Sequence, residues 1–316
     1  MPDLVTEGGP APLPAPPLHP RRLVFLGSPE AAVAPLEALH AAGFEIALVV
    51  TSPDKRRGRR SEPSPTPVKL AALALGLAVS HDVDDIPAVG ADLGVVVAFG
   101  QILRRPLLEV LPMVNIHFSL LPRWRGAAPV ERALLAGDDR TGVCVMAVDV
   151  GLDTGGVYAR EEIAIRRTST AAELRAQLTE IGARLLVATL QRGLGEPAPQ
   201  VGASTYAEKL TTEDLRLRWD RPAEELDRVV RVGGAWTTFR GARLKVHQVR
   251  SLDVDPALDA VPLAPGAVDG DRVGTGAGLL QLVVVQPEGK GRLDAAAWAN
   301  GARPAPGERL GAGATS

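Results

Sequence analysis

The chain has 316 residues, of which 46% are hydrophobic, and its formal net charge is −2. This length suggests two domains with ordinary buried cores, and no stretch approaches the ~20 apolar residues that a membrane-spanning helix needs. The single cysteine, Cys144, excludes an internal disulfide and a Cys-x-x-Cys metal or redox pair, and the slightly acidic balance excludes a general nucleic-acid-binding surface.

The N-terminal part of the chain predicts a tail followed by a β-α-β unit. Residues 1–20 are Pro-rich and lack an apolar segment, so we expect a disordered tail and not a signal peptide. Beyond the tail, the pattern predicts a buried strand at 23–26, a helix capped by Ser28 and ended by Gly43, and a strand at 46–50. Strands joined in this way run parallel, which predicts a parallel sheet.

Further α/β elements follow a basic, Pro-rich loop at 51–67. The pattern predicts strands at 93–100, 113–121 and 142–150, and helices at 68–75, 104–111, 128–136 and 170–193. Because helices alternate with apolar strands throughout, we expect a Rossmann-like, mostly parallel sheet in a domain at residues 21–192.

The composition changes after Leu194. The sequence GEPAPQVGAS is typical of a linker, which we place at 193–205. Short β-like runs broken by Gly and Pro follow, with one helix at 222–232, and they predict a smaller OB-like β-barrel domain at 206–316. Between Arg216 and Arg250 this domain has nine Lys or Arg against four Asp or Glu. The predicted fold class is therefore α/β, a Rossmann-like domain followed by a basic OB-like barrel.

Polar residues at the ends of predicted strands indicate where the chemistry occurs. Ligands of open parallel sheets bind beyond the carboxyl ends of the strands, and 99–101, 115–117 and 149–153 stand at such ends. Asn115 and His117 share one face of their strand, where an imidazole can exchange protons near neutral pH and an amide can donate to an oxyanion. Asp153 could orient the histidine. This trio fits acyl transfer to an amine, although a lone histidine in an apolar strand is more often structural.

One long segment resembles a known family. From Asn115 onward, NIHFSLLPRWRGAAPVERALLAGDDRTGVCVMAVDVGLDTGG is similar to the folate-dependent formyltransferases, and FLGSPE, VVVAFG, TYAEKLTTED and AWTTF extend the resemblance over most of the chain. The resemblance implies 10-formyltetrahydrofolate as the formyl donor, no metal, and Asn115, His117 and Asp153 as catalytic residues. It implies a folate site formed by Ser119, Leu120, Leu121, Pro122, Gln101, Ile102, Leu103, Val150 and Gly151.

The basic loop bears on which amine is formylated. Members of the family act on the methionine of initiator Met-tRNA, on a ribonucleotide or on an amino sugar. Five positive charges fall within the six positions 55–60, more than a small acceptor needs, whereas an acceptor stem presents many phosphates. With the basic barrel, this favours initiator Met-tRNA as the partner. We expect tRNA contacts from Lys55, Arg57, Arg59, Arg60, Arg125 and Lys209.

Other functions stay open or are excluded. A formyltransferase for a small amine is the alternative within the family, and a folate- or RNA-binding protein without turnover is the alternative outside it. A dinucleotide-dependent oxidoreductase is excluded because the first turn, GSPEAA, lacks the glycines of G-x-G-x-x-G. We expect a cytoplasmic monomer without membrane contact.

Two segments depart from the family's pattern. The stretch between Val79 and Asp92 is shorter than usual, and several residues are missing around 231–236, where relatives carry a Pro-containing segment. We expect the second gap to change local contacts of the barrel and not the chemistry.

Overall fold

The structure is a computed structural model that describes residues 13–56, 62–252 and 263–312. The chain forms two compact units, and neither is continuous in sequence. We name the first the sheet unit (Met1–Ala127, Gly142–Ile163 and Arg175–Ala207) and the second the barrel unit (Ala128–Thr141, Ala164–Leu174 and Glu208–Ser316). The sequence ranges 21–192 and 206–316 stay predictions of the domain limits.

Strands and helices are numbered in chain order. The strands are β1 (Arg22–Gly27), β2 (Glu45–Val50), β3 (Lys55–Arg56), β4 (Pro63–Ser64), β5 (Val79–Ser80), β6 (Leu93–Val97), β7 (Met113–His117), β8 (Arg125–Gly126), β9 (Arg140–Ala147), β10 (Val157–Ala164), β11 (Tyr206–Ala207), β12 (Trp236–Phe239), β13 (Ala242–Leu252), β14 (Val268–Asp269), β15 (Arg272–Gly274), β16 (Leu279–Pro287) and β17 (Leu293–Asp294). The helices are α1 (Val33–Ala41), α2 (Pro67–Ala74), α3 (Arg105–Val110), α4 (Pro129–Ala136), α5 (Ala171–Arg192), α6 (Ala223–Val232) and α7 (Ala295–Ala302). Short 3₁₀ turns occupy Glu30–Ala32, Val83–Val89 and Glu213–Leu215.

A seven-stranded sheet with the order β10-β9-β7-β6-β1-β2-β5 forms the sheet unit. The strands β5, β2, β1, β6 and β7 run parallel, and β9 is antiparallel to β7. Nearly every residue of β1 and β6 is buried, as expected for parallel strands that are covered on both faces. The predicted Rossmann-like, mostly parallel sheet is confirmed.

The β1–α1 junction differs from the prediction in one detail. Ser28 does not cap the helix; its Oγ accepts from the backbone N of Ser52 at 3.0 Å. A 3₁₀ turn, Glu30–Ala32, precedes α1, and its N-cap is Pro29, whose side chain accepts no hydrogen bond. The Ser28 hydroxyl is therefore used to join the ends of β1 and β2.

Residues 13–20 belong to the predicted disordered tail but pack against the sheet unit. Leu13 contacts the buried cluster that includes Val24 and Met113, and the carbonyl of Leu18 accepts from the backbone N of Leu194 at 2.7 Å. Burial of apolar side chains offsets the entropy lost by ordering this stretch. The remainder of the predicted tail, residues 1–12, lies outside the described residues.

The barrel unit is built on an antiparallel sheet with the strand order β12-β13-β16-β15-β14, and β17 also pairs with β16. The C-terminal segment links the two outer strands: the Val268 N donates to the Glu308 O at 3.0 Å, and the Gly311 N donates to the Thr238 O at 2.8 Å. A core that includes Trp219, Phe239 and Trp298 fills the interior. The predicted antiparallel second domain is confirmed.

Two features of the barrel unit follow from local chemistry. The short connection from α6 to β12 uses Gly233 and Gly234 with φ of 95° and 80°, a region that glycine enters without a steric penalty. Arg240 donates to both carboxylate oxygens of Glu308, and this contact lowers the pKa of Glu308 to about 2.

Among the described residues, no helix is long and apolar enough to span a bilayer.

Candidate active site

The strand β7 presents two polar side chains on one of its faces. Asn115 is half-buried and His117 is 5% exposed, and their spacing of two places them on the same face. Ile116 points to the opposite face, where Gly182 of α5 comes so close that a Cβ on this glycine would lie 3.0 Å from Ile116 Cγ2. The helix α5 therefore packs on the face of β7 opposite to Asn115 and His117.

The hydrogen bonds of His117 define which nitrogen can exchange a proton. Its Nε2 lies 2.8 Å from the carbonyl oxygen of Trp124. Because a carbonyl only accepts, Nε2 carries a hydrogen and donates it. Nδ1 faces Oδ2 of Asp153 at 3.6 Å, a distance for an ion pair when the ring is charged. Nδ1 is thus the nitrogen that can take up and release a proton.

Asp153 reaches His117 by a route that the sequence did not predict. In the antiparallel pairing of β7 with β9, His117 lies opposite Cys144 and Val114 opposite Ala147, so β9 ends beside the start of β7. The loop 148–156 must therefore return along β7, and the expectation that Asp153 follows a strand ending at the same edge is wrong. Asp153 adopts a φ of 50°, and its Oδ2 accepts from the backbone N of Gly126 at 2.7 Å.

Gly155 allows this loop to return to β9. A Cβ on Gly155 would lie 2.0 Å from the carbonyl oxygen of Ala147, which is backbone and cannot swing away. Ala147 also donates its backbone N to the Gly156 O at 2.8 Å, so the approach is fixed from both sides. The position of Asp153 thus depends on Gly155 having no side chain.

Gly155→Ala is expected to lower the free energy of unfolding by about 1–3 kcal/mol, the usual cost of overpacking, and to lower activity because the Asp153 loop is displaced. Chemical denaturation and initial rates of the catalysed reaction measure the two effects. Gly195→Ala is the matched control, because a Cβ at Gly195 would meet no atom within 4 Å. Equal stability of the two variants would contradict the close approach.

Cys144 lies next to the site but does not serve as a nucleophile. It pairs with His117 across the sheet and is fully buried. Burial raises the pKa of its thiol, which therefore stays protonated near neutral pH. The buried thiol is therefore no nucleophile, in line with acyl transfer without a covalent enzyme intermediate.

The predicted folate segment 119–122 shapes the loop after β7. The Ser119 side chain is buried and donates to the Arg123 O at 2.6 Å. Leu121 packs against Cys144 and Met146 and precedes Pro122 through a cis peptide bond. Leu120 and Pro122 are half-buried. The side chains of Ser119 and Leu121 thus point into the protein, and any contact they make with a ligand is through the backbone.

The other predicted folate residues lie on two loops with exposed apolar side chains. On the loop after β6, Ile102 is 92% exposed and Gln101 is exposed too; on the loop after β9, Val150 and Leu152 are 56% and 61% exposed, and Gly151 lies between them. Leu103 and Val148 pack against the same buried cluster, which anchors both loops to one part of the sheet unit. Such side chains can cover the faces of a flat heterocycle such as a pterin.

Sequence reasoning missed Gln200, which lies in the predicted linker. Its Nε2 donates to the carbonyl oxygens of Asp153 and Gly155, both at 2.8 Å. Its Oε1 accepts from Nε and Nη2 of Arg125 at 3.1 and 2.7 Å. The available clue was one long amide side chain among small residues, a weak pattern in sequence.

The structure describes three of the six residues that are predicted to contact tRNA. Lys55 is exposed on the β3–β4 hairpin, whose base is tied by an ion pair between Lys69 and Asp54 at 2.8 Å. Lys209 is exposed in the barrel unit, and Arg125 is half-buried against Gln200. The three central positions of the basic loop lie outside the described residues: Arg57, Arg59 and Arg60.

Solved structures with the same fold include two formyltransferases. An N-formyltransferase from Helicobacter canadensis in complex with folinic acid and dTDP-3-aminofucose has a TM-score of 0.64 at 15% identity, over 84% of this chain and 99% of that one. A methionyl-tRNA formyltransferase from Clostridium thermocellum has a TM-score of 0.53 at 15% identity, over 74% of this chain and 95% of that one. At these identities the likeness shows the fold alone.

Sequence relatives define the family. The models described as Formyl transferase and Formyl transferase, C-terminal domain, match residues 21–190 and 209–303. A methionyl-tRNA formyltransferase of Dinoroseobacter shibae is 42% identical over 292 residues, which cover 87% of this chain and 95% of that protein. Since both domains match and the identity extends along nearly all of the relative, the chain belongs to the methionyl-tRNA formyltransferase family.

Proposed function

We propose that the chain transfers the formyl group of 10-formyltetrahydrofolate to the α-amino group of initiator Met-tRNA, with Asn115, His117 and Asp153 as its catalytic residues. The observation that carries the proposal is the arrangement of His117 at the end of β7, between the Trp124 carbonyl at 2.8 Å and the Asp153 carboxylate at 3.6 Å. The 42% identity with a methionyl-tRNA formyltransferase supports the choice of acceptor.

The reaction moves one proton as well as the formyl group. The amine nitrogen attacks the formyl carbon, the bond from this carbon to the folate nitrogen N10 breaks, the amine loses a proton and N10 gains one. The Asn115 amide can donate to the oxyanion that develops on the formyl oxygen. His117 relays a proton through Nδ1, and the Asp153 carboxylate stabilises the charged ring while it holds the proton.

The donor site is supported by the two loops that flank β7. Exposed Ile102, Val150 and Leu152 offer apolar surface to a pterin ring. Folinic acid in the Helicobacter canadensis N-formyltransferase shows that this fold accepts a reduced folate. Within this chain, we assign the donor to the surface formed by 101–103, 119–122 and 150–151.

The acceptor is supported by charge. The segments on either side of the basic loop are held together, because Asp54 pairs with Lys69 and the hydroxyls of Thr51 and Thr66 lie 2.7 Å apart. A cluster of positive charges on such a loop suits a phosphate backbone better than a small amine. The likeness to the sugar-modifying enzyme concerns the fold alone and gives no support to an amino sugar acceptor.

Formyl transfer with purified protein tests the proposal. The donor is 10-formyltetrahydrofolate, and the acceptors are initiator Met-tRNA, free methionine, uncharged tRNA and a dTDP-linked amino sugar. We expect N-formylmethionyl-tRNA as the product and no transfer to the other three. Transfer to the amino sugar with none to Met-tRNA would overturn the assignment of the acceptor.

Arg59→Ala is expected to raise the KM for Met-tRNA and to leave the KM for the folate unchanged. Loss of one phosphate contact lowers the slope of log affinity against log salt by about 1. Measurements of KM at about 50, 100 and 200 mM salt give this slope. Arg192→Ala, an exposed arginine at the end of α5, is the matched control. An unchanged slope would contradict a phosphate contact by Arg59.

The proposal includes a cytoplasmic monomer. Charged initiator tRNA is used where translation starts, which places the enzyme in the cytoplasm. The contacts that hold His117 and Asp153 can be made within one chain, which fits a monomer. Light scattering should give a mass near 33.1 kDa; twice this mass would contradict the monomer.

A further inference from the structure

We propose that Gln200 is a positioning residue for the transfer reaction and that Arg125 acts through Gln200, not as a tRNA contact. The inference rests on the proposed function, since it concerns the placement of Asp153 beside His117. It assigns a catalytic purpose to the segment 198–207, most of which the sequence suggested to be a linker.

All the hydrogen-bonding groups of the Gln200 amide that face the site are used. Both hydrogens of its NH₂ group go to carbonyl oxygens, those of Asp153 and Gly155, each at 2.8 Å. Its oxygen accepts two bonds from the guanidinium of Arg125. Because carbonyls only accept and a guanidinium only donates, the amide has one possible orientation. The side chain thus acts as a rigid bridge between the Asp153 loop and Arg125.

The residues bridged by Gln200 lie on the two segments that contact His117. One segment, 124–126, supplies the Trp124 carbonyl to His117 Nε2 and the Gly126 N to Asp153 Oδ2. The other is the Asp153 loop, whose carboxylate faces His117 Nδ1. Through Arg125, Gln200 connects segment 124–126 to the Asp153 loop a second time. This connection fixes the distance between the two segments that lie on either side of the imidazole.

The same chain segment anchors 124–126 directly. Thr205 Oγ1 accepts from the Trp124 N, and the Thr205 O accepts from the Arg125 N, both at 2.9 Å. The short strand β11 pairs in parallel with β8, Tyr206 with Arg125 and Ala207 with Gly126. Residues 200–207 therefore hold one contact segment by backbone pairing and the other by a side chain, which is what a positioning element requires.

The backbone of Asp153 needs such support. Asp153 adopts a left-handed φ of 50° that L-residues rarely occupy without surrounding constraints. The two bonds from Gln200 fall on the carbonyls of this residue and of Gly155, on either side of Thr154. Without them the loop is free to relax, and the carboxylate no longer stays within ion-pairing distance of His117.

Gln200→Ala and Gln200→Glu test the proposal, with Gln191→Ala as the matched control on the exposed end of α5. Glutamate keeps the shape and the contact with Arg125 but has no N–H to donate to the two carbonyls. We expect both Gln200 variants to lower kcat by about 10- to 100-fold, with the KM for each substrate changed by less than about threefold. Gln191→Ala should behave as the wild type. A wild-type kcat in Gln200→Glu would overturn the proposal.

A double-mutant cycle separates positioning from a general loss of stability. If Gln200 acts through the Asp153 carboxylate, Gln200→Ala should lower kcat by less than about twofold in an Asp153→Asn background. If Gln200→Ala lowers kcat by the same factor in the Asp153→Asn background as in the wild type, the proposal is overturned. A second outcome would also overturn the proposal. In it, Gln200→Ala is inactive only because its thermal unfolding midpoint lies below the assay temperature, while Gln200→Glu is folded and fully active.

Arg125→Ala distinguishes a positioning role from a tRNA contact. We expect a loss of kcat similar to that of Gln200→Ala and the same salt dependence of the KM for Met-tRNA as in the wild type. A salt slope lowered by about 1 with an unchanged kcat would show a phosphate contact instead. If the wild type itself does not formylate Met-tRNA, the proposed function is wrong. If the wild type is active and the Gln200 variants have the same kcat as the wild type, only the role of Gln200 is wrong.

Discussion

Replacing His117 with alanine should lower kcat by about 10²–10⁴, the usual contribution of a positioned acid–base group. The side chain is 5% exposed and held at both nitrogens, by the Trp124 carbonyl and the Asp153 carboxylate. In the proposed relay Nε2 stays bonded to a carbonyl, and Nδ1 moves the proton between the amine and the folate nitrogen. No other described imidazole takes part in this arrangement, so water must replace it in the variant.

Steady-state kinetics with Met-tRNA and 10-formyltetrahydrofolate measure this loss. His40→Ala is the matched control, because His40 is an exposed residue of α1 and its removal should leave kcat within about twofold of wild type, as for most surface substitutions. Circular dichroism and thermal unfolding show whether both variants are folded. A His117→Ala protein that is folded and retains more than a tenth of the wild-type kcat would contradict the proton relay.

The parallel core of the sheet unit was predictable because its strands are apolar along their whole length. The five residues of β6 are all buried, and the runs that form β1, β2 and β7 stand between helices in the expected order. The direction of β9 was not predictable, since an apolar run reads alike in a parallel and an antiparallel strand. Direction is fixed by the connection between the two strands: after residues 118–139 the chain starts β9 at the end of β7 that it had left, so β9 runs back antiparallel.

The strand β10 and the helix α7 are among the elements that the sequence did not predict, and only β10 lacked a clear pattern. The strand β10 is only partly buried and carries Arg160, Glu161 and Glu162, so its alternation of apolar and polar residues is weak, as at the edge of a sheet. The helix α7 is short, and its start is set by Asp294, whose side chain accepts from the backbone N of Ala296 and Ala297. An aspartate before an alanine run was a visible N-cap pattern there.

The sequence names candidate site residues but does not show how the chain brings them together. The alternation in β7 placed Asn115 and His117 on one face, and the structure bears this spacing out. The bridge from Gln200 to the Asp153 loop spans 47 positions in the chain and joins a side chain to backbone carbonyls. Neither a periodic pattern nor a residue pair marks such a contact, because any residue presents a carbonyl.

Asp153→Asn is expected to lower kcat by about 10²–10³ while the protein stays folded. Asparagine has the shape of aspartate, and its side-chain oxygen can still accept from the Gly126 N, which lies 2.7 Å from Oδ2 in the native site. Because the same Oδ2 also faces His117 Nδ1 at 3.6 Å, the asparagine oxygen keeps that place and the NH₂ group takes the place of Oδ1. The oxygen facing the ring is then neutral and stabilises the protonated ring less than the carboxylate does, so the relay is slowed.

The kinetics of Asp84→Asn provide the matched control, since Asp84 is exposed in a 3₁₀ turn of the same unit. Equal kcat in Asp153→Asn and the wild type would contradict a role for the carboxylate charge. The double variant His117→Ala with Asp153→Asn adds a stricter condition. If the carboxylate acts only on the imidazole, removing it from an enzyme without that imidazole should cost less than about twofold, because residues that act as a unit lose their effect together. Two independent losses that multiply would mean that Asp153 also contacts a substrate, most directly the attacking amine.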